Sequence, residues 1–469
     1  RGNEVRDFVQ HAFQDRNITY RSVDLYEGQG SGLGYTLLCC KDLLLEPFIF
    51  ISCDTLVETL VQPPDSNWIG LADKKPSPSY RTVRIDNGLV KDIFEKNTNV
   101  QSHGAKPYIG LAGIKDYKIF WQSLENGGAK AIHEGEVYGL RALAHAKSVT
   151  GVVYDWHDTG SIDELVKCRN RFEKECSFNI LPKSSESIWF VNGKVIKYSD
   201  DLNFISGRVA RSNILEGFVP MVKMVGDHMY SYDFIEGDVV SRTMDPDVFL
   251  ELLAWLEEFW SPMNLPQPEK EIFVQLCYDF YKTKTEIRLN QFYERNNVSD
   301  KPIWINGIQV NSLQELMDGI NWLELADGVA SRIHGDLHFE NIIRGNDGRY
   351  TLIDWRQDFG GCLEYGDLYY DLAKLLHGMI VSHAVIHNHG YSVNASGNDI
   401  ILSIGEEDTS KICRELFKEW CLRNGLVYER VEIITALIFL NISALHHAPY
   451  SIFLYYLGHS MLNKSARAC

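Results

Sequence analysis

The sequence predicts an α/β protein built in two parts, and three observations lead there. Over the first 178 residues, apolar strands alternate with helical stretches and a glycine-rich turn. After that come short strands with a hairpin signal, then long helices with apolar spacing. Between residues 333 and 355 the chain carries one compact group of carboxylates and an asparagine. At 469 residues it is too long for a single ordinary core.

The compact group reads Ile333-His-Gly-Asp-Leu-His-Phe-Glu-Asn-Ile-Ile343, then a Gly-Asn-Asp-Gly turn, then Thr351-Leu-Ile-Asp-Trp355. Asp336 is placed to accept a proton from an attacking hydroxyl. Asn341 offers a neutral oxygen to a metal, and Asp354 a charged one. The turn at 345–348 predicts a hairpin folding Asn341 and Asp354 back towards each other. A transferring phosphoryl group spreads its charge over several oxygens, so positioning and Mg²⁺ neutralisation supply most of its catalysis. Three unrelated carboxylates on solvated loops is the bland alternative, and the ordered spacing argues against it.

This loop resembles that of the aminoglycoside phosphotransferase and choline kinase-like family, His-Gly-Asp-x-x-x-x-Asn followed by Ile-Asp-Trp or Ile-Asp-Phe. The match continues at Gly366-Asp-Leu-Tyr-Tyr-Asp-Leu-Ala373, with Leu368 where proline is common. The resemblance implies a bilobal protein kinase-like fold, ATP or another nucleoside triphosphate as donor, and Mg²⁺ as cofactor. It also implies that Asp367 steadies the catalytic loop and does not touch substrate.

Composition excludes several classes. Apolar content of 45% with 23% charged residues is that of an ordinary globular chain, and the net charge of −17 argues against nucleic acid and anionic membrane surfaces as partners. The ten cysteines show no Cys-x-x-Cys spacing and read as reduced thiols of a cytoplasmic protein. No signal peptide is visible. The apolar stretch 433–445 is too short to span a bilayer and reads as a buried helix. The chain opens at Arg1 without a methionine and enters a helix over residues 5–13, a start that points to a missing upstream piece.

Residues 1–177 read as one domain. A strand is expected at 18–23, then the glycine run containing Gly30, Gly32 and Gly34, then a helix over 35–44. A buried strand at 47–52 leads into Asp54. The glycines would let backbone approach a base or a sugar closely, although flexible turns are commoner. Further on lie Glu95-Lys96, the strand-like Pro107-Tyr-Ile-Gly-Leu-Ala-Gly113, and Trp156-His-Asp-Thr-Gly160 before a helix. This order resembles the sugar-phosphate nucleotidyltransferases and implies a Rossmann-like domain. The resemblance assigns Gly30 and Gly32 to the base, Glu95 and Lys96 to the sugar and its phosphate, and Asp54 and Asp158 to Mg²⁺. Asp158 could equally cap a helix, and Glu95-Lys96 could be a solvated pair. The family's Gly-x-Gly-x-Arg loop has no counterpart, so the domain is expected to be incomplete and, as it stands, a poor nucleotidyltransferase.

The kinase half is expected to comprise a small lobe over 178–240 and a large lobe over 241–469. Strands at 177–180 and 188–191 flank a polar tip at 183–187, and Asn192-Gly193 signals a hairpin. On the returning strand Val195 and Lys197 share a face, which makes Lys197 the expected phosphate lysine over Lys194. The strand at 229–235, with Asp233 and Ile235, is expected to read the purine edge through its backbone. No helix glutamate is evident to pair with the lysine, and Glu216 sits too near a break. Helices are expected at 247–260, 272–293 and 313–330. His446-His447, with Tyr450, lies where the family's acceptor pocket is often lined.

Together the two resemblances imply a bifunctional cytoplasmic transferase. Its kinase would phosphorylate a small metabolite, a sugar or an amino alcohol, and its first domain would activate the product with a nucleotide, as for surface polysaccharide. A choline kinase joined to a cytidylyltransferase, a kinase regulated by a nucleotide-sugar-sensing module, and an antibiotic kinase are the rival readings. Oligomerisation is open.

Overall fold

The computed structural model describes residues 2–98, 104–172, 185–405 and 407–468, with side chains to Ser465. Two compact units emerge: Ile18–Phe178, and Arg1–Asn17 together with Asn179–Cys469. The first helix, α1 (Gly2–Ala12), therefore belongs with the larger unit and not with the domain the sequence assigned to 1–177. Ala12 packs with Ile196, Val225 and Met229, and Asn192 Nδ2 donates to the Ala12 carbonyl at 2.7 Å. Such a long-range contact leaves no local signal.

In the smaller unit the expected strand at 18–23 is extended chain outside any ladder. The helix expected over 35–44 is short, α2 (Leu33–Leu38), followed by a 3₁₀ turn. Then come β1 (Phe48–Ile51), β2 (Thr55–Val57), β3 (Asn67–Ala72), β4 (Thr82–Asp86), β5 (Leu89–Phe94) and β6 (Ala105–Ile114). Three helices follow, α3 (Tyr117–Asn126), α4 (Gly128–Glu134) and α5 (Glu136–Ala146). The unit closes with β7 (Val149–Tyr154), β8 (Trp156–Asp158) and α6 (Ile162–Phe172).

Six strands make one mixed sheet in the order β1-β6-β3-β7-β5-β4, with β3 and β7 its parallel pair. Apolar strand residues and the inner faces of α3 and α5 form a core around Ile69, Leu71, Phe120 and Leu140. Trp68, Ile109, Leu111 and Trp156 fill the opposite face.

In the larger unit β9 (Glu186–Val191) and β10 (Lys194–Ser199) form the expected hairpin, with Asn192 and Gly193 both at positive φ. After α7 (Leu202–Ile214) come β11 (Lys223–Met224), β12 (Met229–Asp233) and β13 (Gly237–Val239). The four-stranded sheet runs β11-β12-β10-β9. Strand alternation sends Ile196 towards α1 and Val195 towards α7, where it meets Ile205, Tyr230 and Tyr232. The expected strand at 177–180 and part of the polar tip lie outside the described residues. β13 pairs with a later strand of the large lobe, so the link between lobes falls at 234–236, just before the expected boundary at 240.

The large lobe begins with α8 (Val240–Thr243) and α9 (Pro246–Phe259), capped by Asp245 with proline in the first turn. The helix expected over 272–293 is two, α10 (Gln267–Tyr278) and α11 (Lys284–Arg295), joined by a π-helical turn at Asp279–Thr283. β14 (Ile303–Ile305) and β15 (Ile308–Val310) follow. The helix expected over 313–330 breaks at Gly319 into α12 (Leu313–Asp318) and α13 (Trp322–Ala326), because Asn321 caps the second piece. Next come β16 (Ala330–Ser331), β17 (Ile342–Gly345), β18 (Tyr350–Leu352), β19 (Gly366–Asp367), α14 (Leu368–Ile380) and α15 (His383–His387). The chain finishes with β20 (Tyr391–Ser396), β21 (Asp399–Ile404), α16 (Asp408–Arg423), α17 (Tyr428–Ser443) and α18 (Tyr450–Ala468). α17 is the expected buried helix, and it packs along α14 and α18. Among the described residues no helix is long and apolar enough to cross a membrane.

Candidate active site

The 345–348 turn closes the hairpin as expected: Gly345 N donates to Arg349 O, and Ile342 faces Leu352. Ile353 N then donates to Asn341 O at 2.9 Å, which sets Asn341 beside Asp354. Asp354 takes a left-handed backbone, φ +63°, a conformation that costs a non-glycine residue about 1–3 kcal/mol and recurs at functional sites.

A neutral histidine fastens the loop to this strand. His334 is fully buried; its Nε2 lies 2.8 Å from the Ile353 carbonyl, and its Nδ1 accepts from Asp336 N at 3.2 Å. A carbonyl only accepts and an amide N–H only donates, so the proton sits on Nε2. Burial pushes the imidazole down to about 3, in keeping with that single proton. Beneath it the Asp371 carboxylate accepts from His334 N and Gly335 N, each at 2.7 Å, and from Trp260 Nε1. Arg211 of α7 donates to the carbonyls of Ile333, His334, Arg356 and Leu363. Asp367 receives Tyr281 Oη and the amides of Val329 and Tyr369, so it fastens the start of α14, while Asp371 and not Asp367 holds the amides of the 334–336 loop.

Asp336 is partly exposed at the loop's tip. Lys374 Nζ lies 2.8 Å from its Oδ1, and Asn341 Nδ2 donates to its backbone carbonyl at 2.9 Å. Burial alone would raise its carboxyl; Lys374 more than reverses that and holds it well below the usual range. Asp336 is therefore a standing anion, able to orient a hydroxyl and take its proton. His338 Nδ1 is 3.0 Å from Glu340 Oε2, which fixes the rest of the loop.

Lys197 is buried on the α7 side of its sheet, with Nζ 2.9 Å from Asp354 Oδ1. Lys194 instead pairs on the surface with Asp233 at 3.0 Å, so Asp233 engages a side chain while Ile235 lies in the interlobe link. α7 presents no glutamate to Lys197. It presents Arg208, buried and ion-paired with the same Asp354 Oδ1. Burial opposes charge on Asp354, but Arg208 and Lys197 hold it far below the carboxylate range. Among the described residues, Asp354 Oδ2 and Asn341 Oδ1 have no hydrogen-bond partner. Hard oxygens of this kind suit Mg²⁺, which would neutralise phosphate charge when bound. Glu216 is exposed in the turn after α7. His446 packs edge-on against Tyr450 between α17 and α18, as a structural pair.

Sequence reasoning missed Arg208, Arg211 and Lys374. Lys374 stands one helical turn after Asp371, a spacing that could have placed it beside the loop.

In the smaller unit Asp54 and Asp158 come together. A left-handed bulge at Gly110, φ +72°, turns the carbonyls of 109 and 110 towards Thr55 Oγ1 and Ser52 N, which flank Asp54. β2 pairs with β8, placing Thr55 opposite Asp158. A methyl on Gly160 would sit 3.1 Å from Asp54 Oδ2 and 3.2 Å from Asp158 Oδ1, so both carboxylates face one space. Glu95 is held by Arg141 at 2.6 Å and Arg81 at 3.0 Å, and Lys96 is exposed in the following turn. A Cβ on Gly32 or Gly34 would meet the carbonyl of Ile132 or Ala131 at 2.5 or 2.2 Å, so these glycines let α2 lie against α4. Gly30 is exposed, φ +92°, against Leu25.

This loop lies in the part of the chain that a known family matches. Residues 310–389, which hold the catalytic loop, match the phosphotransferase enzyme family. No curated protein matches the chain. Among solved structures the chain is similar to an ethanolamine kinase of Plasmodium vivax, with 14% identity over 66% of this chain and 89% of that one and a TM-score of 0.32. It is also similar to an aminoglycoside 2'-phosphotransferase IIIa variant in complex with GDP, with 12% identity, 66% and 97% coverage, and a TM-score of 0.31. A further similarity is to apo UDP-glucose pyrophosphorylase, with 17% identity over 35% of this chain and 72% of that one and a TM-score of 0.28.

Proposed function

We propose that the larger unit is an ATP- and Mg²⁺-dependent kinase for a hydroxyl of a small metabolite, a sugar by preference. The observation that carries this reading is the meeting of Lys197, Asp354 and the Asp336–Asn341 loop in one place. In this reading Asp336 orients the acceptor hydroxyl and receives its proton. Lys197 faces the donor's phosphates, Asn341 and Asp354 hold Mg²⁺, and the backbone near Asp233 and Ile235 reads the purine. ADP release measured over hexoses, hexosamines and choline tests it, with the Asp336→Asn chain as control. Turnover that survives this substitution defeats the assignment, and activity on choline alone removes the sugar reading.

The Asp54–Asp158 pair favours a second activity in the smaller unit, nucleotidyl transfer to the phosphorylated product. Two carboxylates over one ion would hold an α-phosphate for in-line attack. The pair of activities fits the making of a nucleotide-activated precursor in the cytoplasm, as for surface polysaccharide. In a protein that also carries the Gly-x-Gly-x-Arg loop, release of pyrophosphate from a nucleoside triphosphate and a sugar 1-phosphate, lost in Asp158→Asn, is the expected sign.

A further inference from the structure

Beside the catalytic loop lies an open cavity of about 540 Å³, lined by Gln275, Asp279, Phe280, Lys284, Arg356 and Asp358 among others. Two basic side chains meet over one ring there: Lys284 Nζ is 4.0 Å from the Phe280 centroid, and the Arg356 guanidinium 5.2 Å. Among the described residues neither side chain makes an ion pair or a hydrogen bond, and Arg356 Nε is buried without an acceptor. Two carboxylates share the lining, and the charge of Asp358 favours the protonated form of Lys284 without forming an ion pair with it. Asp279 accepts from Gln275 and Thr283, each at 3.1 Å, and Asp358 accepts from Gly361 N at 2.9 Å.

The cavity adjoins the reacting centre. The Arg356 stem lies against Gly335, where a Cβ would meet it at 2.7 Å, and Gly335 precedes Asp336. The π-helical turn at Asp279–Thr283 swings Phe280 and opens α11 at Lys284, a distortion that recurs at functional sites. Burial, then the charges of Arg356, Lys374 and Arg288, push Lys284 down to about 6, so at neutral pH the empty site holds mostly the neutral amine, and an anion beside it would restore the ammonium. Lys284 and Arg356 are half-buried side by side and neither is ion-paired, so a ligand's anion would give both a direct partner.

We propose that the acceptor carries an anionic group, a carboxylate or a phosphate, which sits between Lys284 and Arg356 while its hydroxyl meets Asp336. This rests on the phosphoryl-transfer reading of Asp336 and names the substrate class of that site: a hydroxy acid, a sugar acid or a sugar phosphate. A quaternary ammonium such as choline would face the Arg356 guanidinium and oppose charge on Lys284, set against the favourable Phe280 ring and the two carboxylates of the lining.

Calorimetric titration of the full chain with glycerate, glucuronate, inorganic phosphate and glucose 6-phosphate, against glucose and choline, tests the site. At least one anion is expected to bind about tenfold or more tightly than glucose or choline. Carboxylate and phosphate arms separate the two sources of charge. Lys284→Gln and, separately, Arg356→Gln are expected to erase that advantage with melting temperature within a few degrees. The proposal is overturned if no anion outbinds the neutral and cationic controls, or if a folded Lys284→Gln chain keeps the preference. Asp336→Asn separates the two readings: it should bind the same anions and lose turnover. Retained turnover defeats the kinase assignment and leaves the anion site standing.

Discussion

Arg208 of α7 is ion-paired with Asp354, and Lys197 shares the same carboxylate oxygen. A helix cation thus occupies the place where the lysine's acidic partner is expected, and Lys197 leans on Asp354 itself. Two consequences follow from charge alone. Asp354→Ala leaves two buried cations facing each other, so it should lose about 2 kcal/mol as well as Mg²⁺-dependent turnover; the partial exposure of Asp354 keeps this below a fully buried pair. Arg208→Ala removes one competitor for the carboxylate, so the Mg²⁺ concentration giving half-maximal rate should fall while the maximal rate drops. Urea unfolding and Mg²⁺ titration of the ADP-release rate check both. An unchanged Mg²⁺ response in Arg208→Ala would show that Oδ2 binds the ion independently of the pair.

Asp336→Asn should lower turnover by roughly 10²–10⁴-fold, the usual contribution of a positioned proton acceptor. The amide keeps the size of the carboxylate but cannot take a proton, and Lys374 loses its counter-charge. Nucleotide binding should persist, because Lys197 and Asp354 are untouched. Single-turnover kinetics and nucleotide titration separate the two effects.

The catalytic loop was legible because its chemistry is local. Asn341 and Asp354 flank one hairpin, whose turn residues announce the register, and His334 and Asp336 lie just before it. Lys197 was legible through strand alternation, since Val195 on the same face is a core residue. Arg208 was hidden because a basic residue on an amphipathic helix usually means a solvated face. The α10–α11 break was hidden for a similar reason: nothing in the composition of 272–293 interrupts helical spacing, and the π-helical turn inserts itself without glycine or proline. The glycines at 32 and 34 signal a close approach of backbone, and on the side of their absent side chains what comes close is another helix. A sequence shows where backbone comes close, but not to what.

Asp371 accepts three N–H donors in a fully buried setting, and burial brings its carboxyl up to about 6. Asp371→Ala would strand the amides of His334 and Gly335 together with the Trp260 indole. At about 1–3 kcal/mol for each unsatisfied donor, a loss of about 3 kcal/mol or more is expected in urea unfolding. Asp371→Asn retains one acceptor oxygen and should lose less. Equal losses for the two would show that packing, and not hydrogen bonding, sets the role of this side chain.

His334 gives the fold a dependence on pH whose sign follows from its burial. Its native value of about 3 lies below the ordinary 6.5, so between these values the unfolded chain holds a proton that the native chain excludes. Stability from His334 is therefore complete above about pH 6.5 and is lost as pH falls towards 3, with a slope of up to ~1.4 kcal/mol per pH unit. Asp371, raised to about 6, works the other way, losing stability as pH rises from its ordinary value to 6. The wild-type curve blends the two, so the informative quantity is the difference from His334→Gln. A glutamine cannot titrate, and the wild-type advantage measured by urea unfolding should shrink from pH 7 to pH 4. An advantage that stays constant over that range would mean that His334 is not held neutral between Ile353 and Asp336.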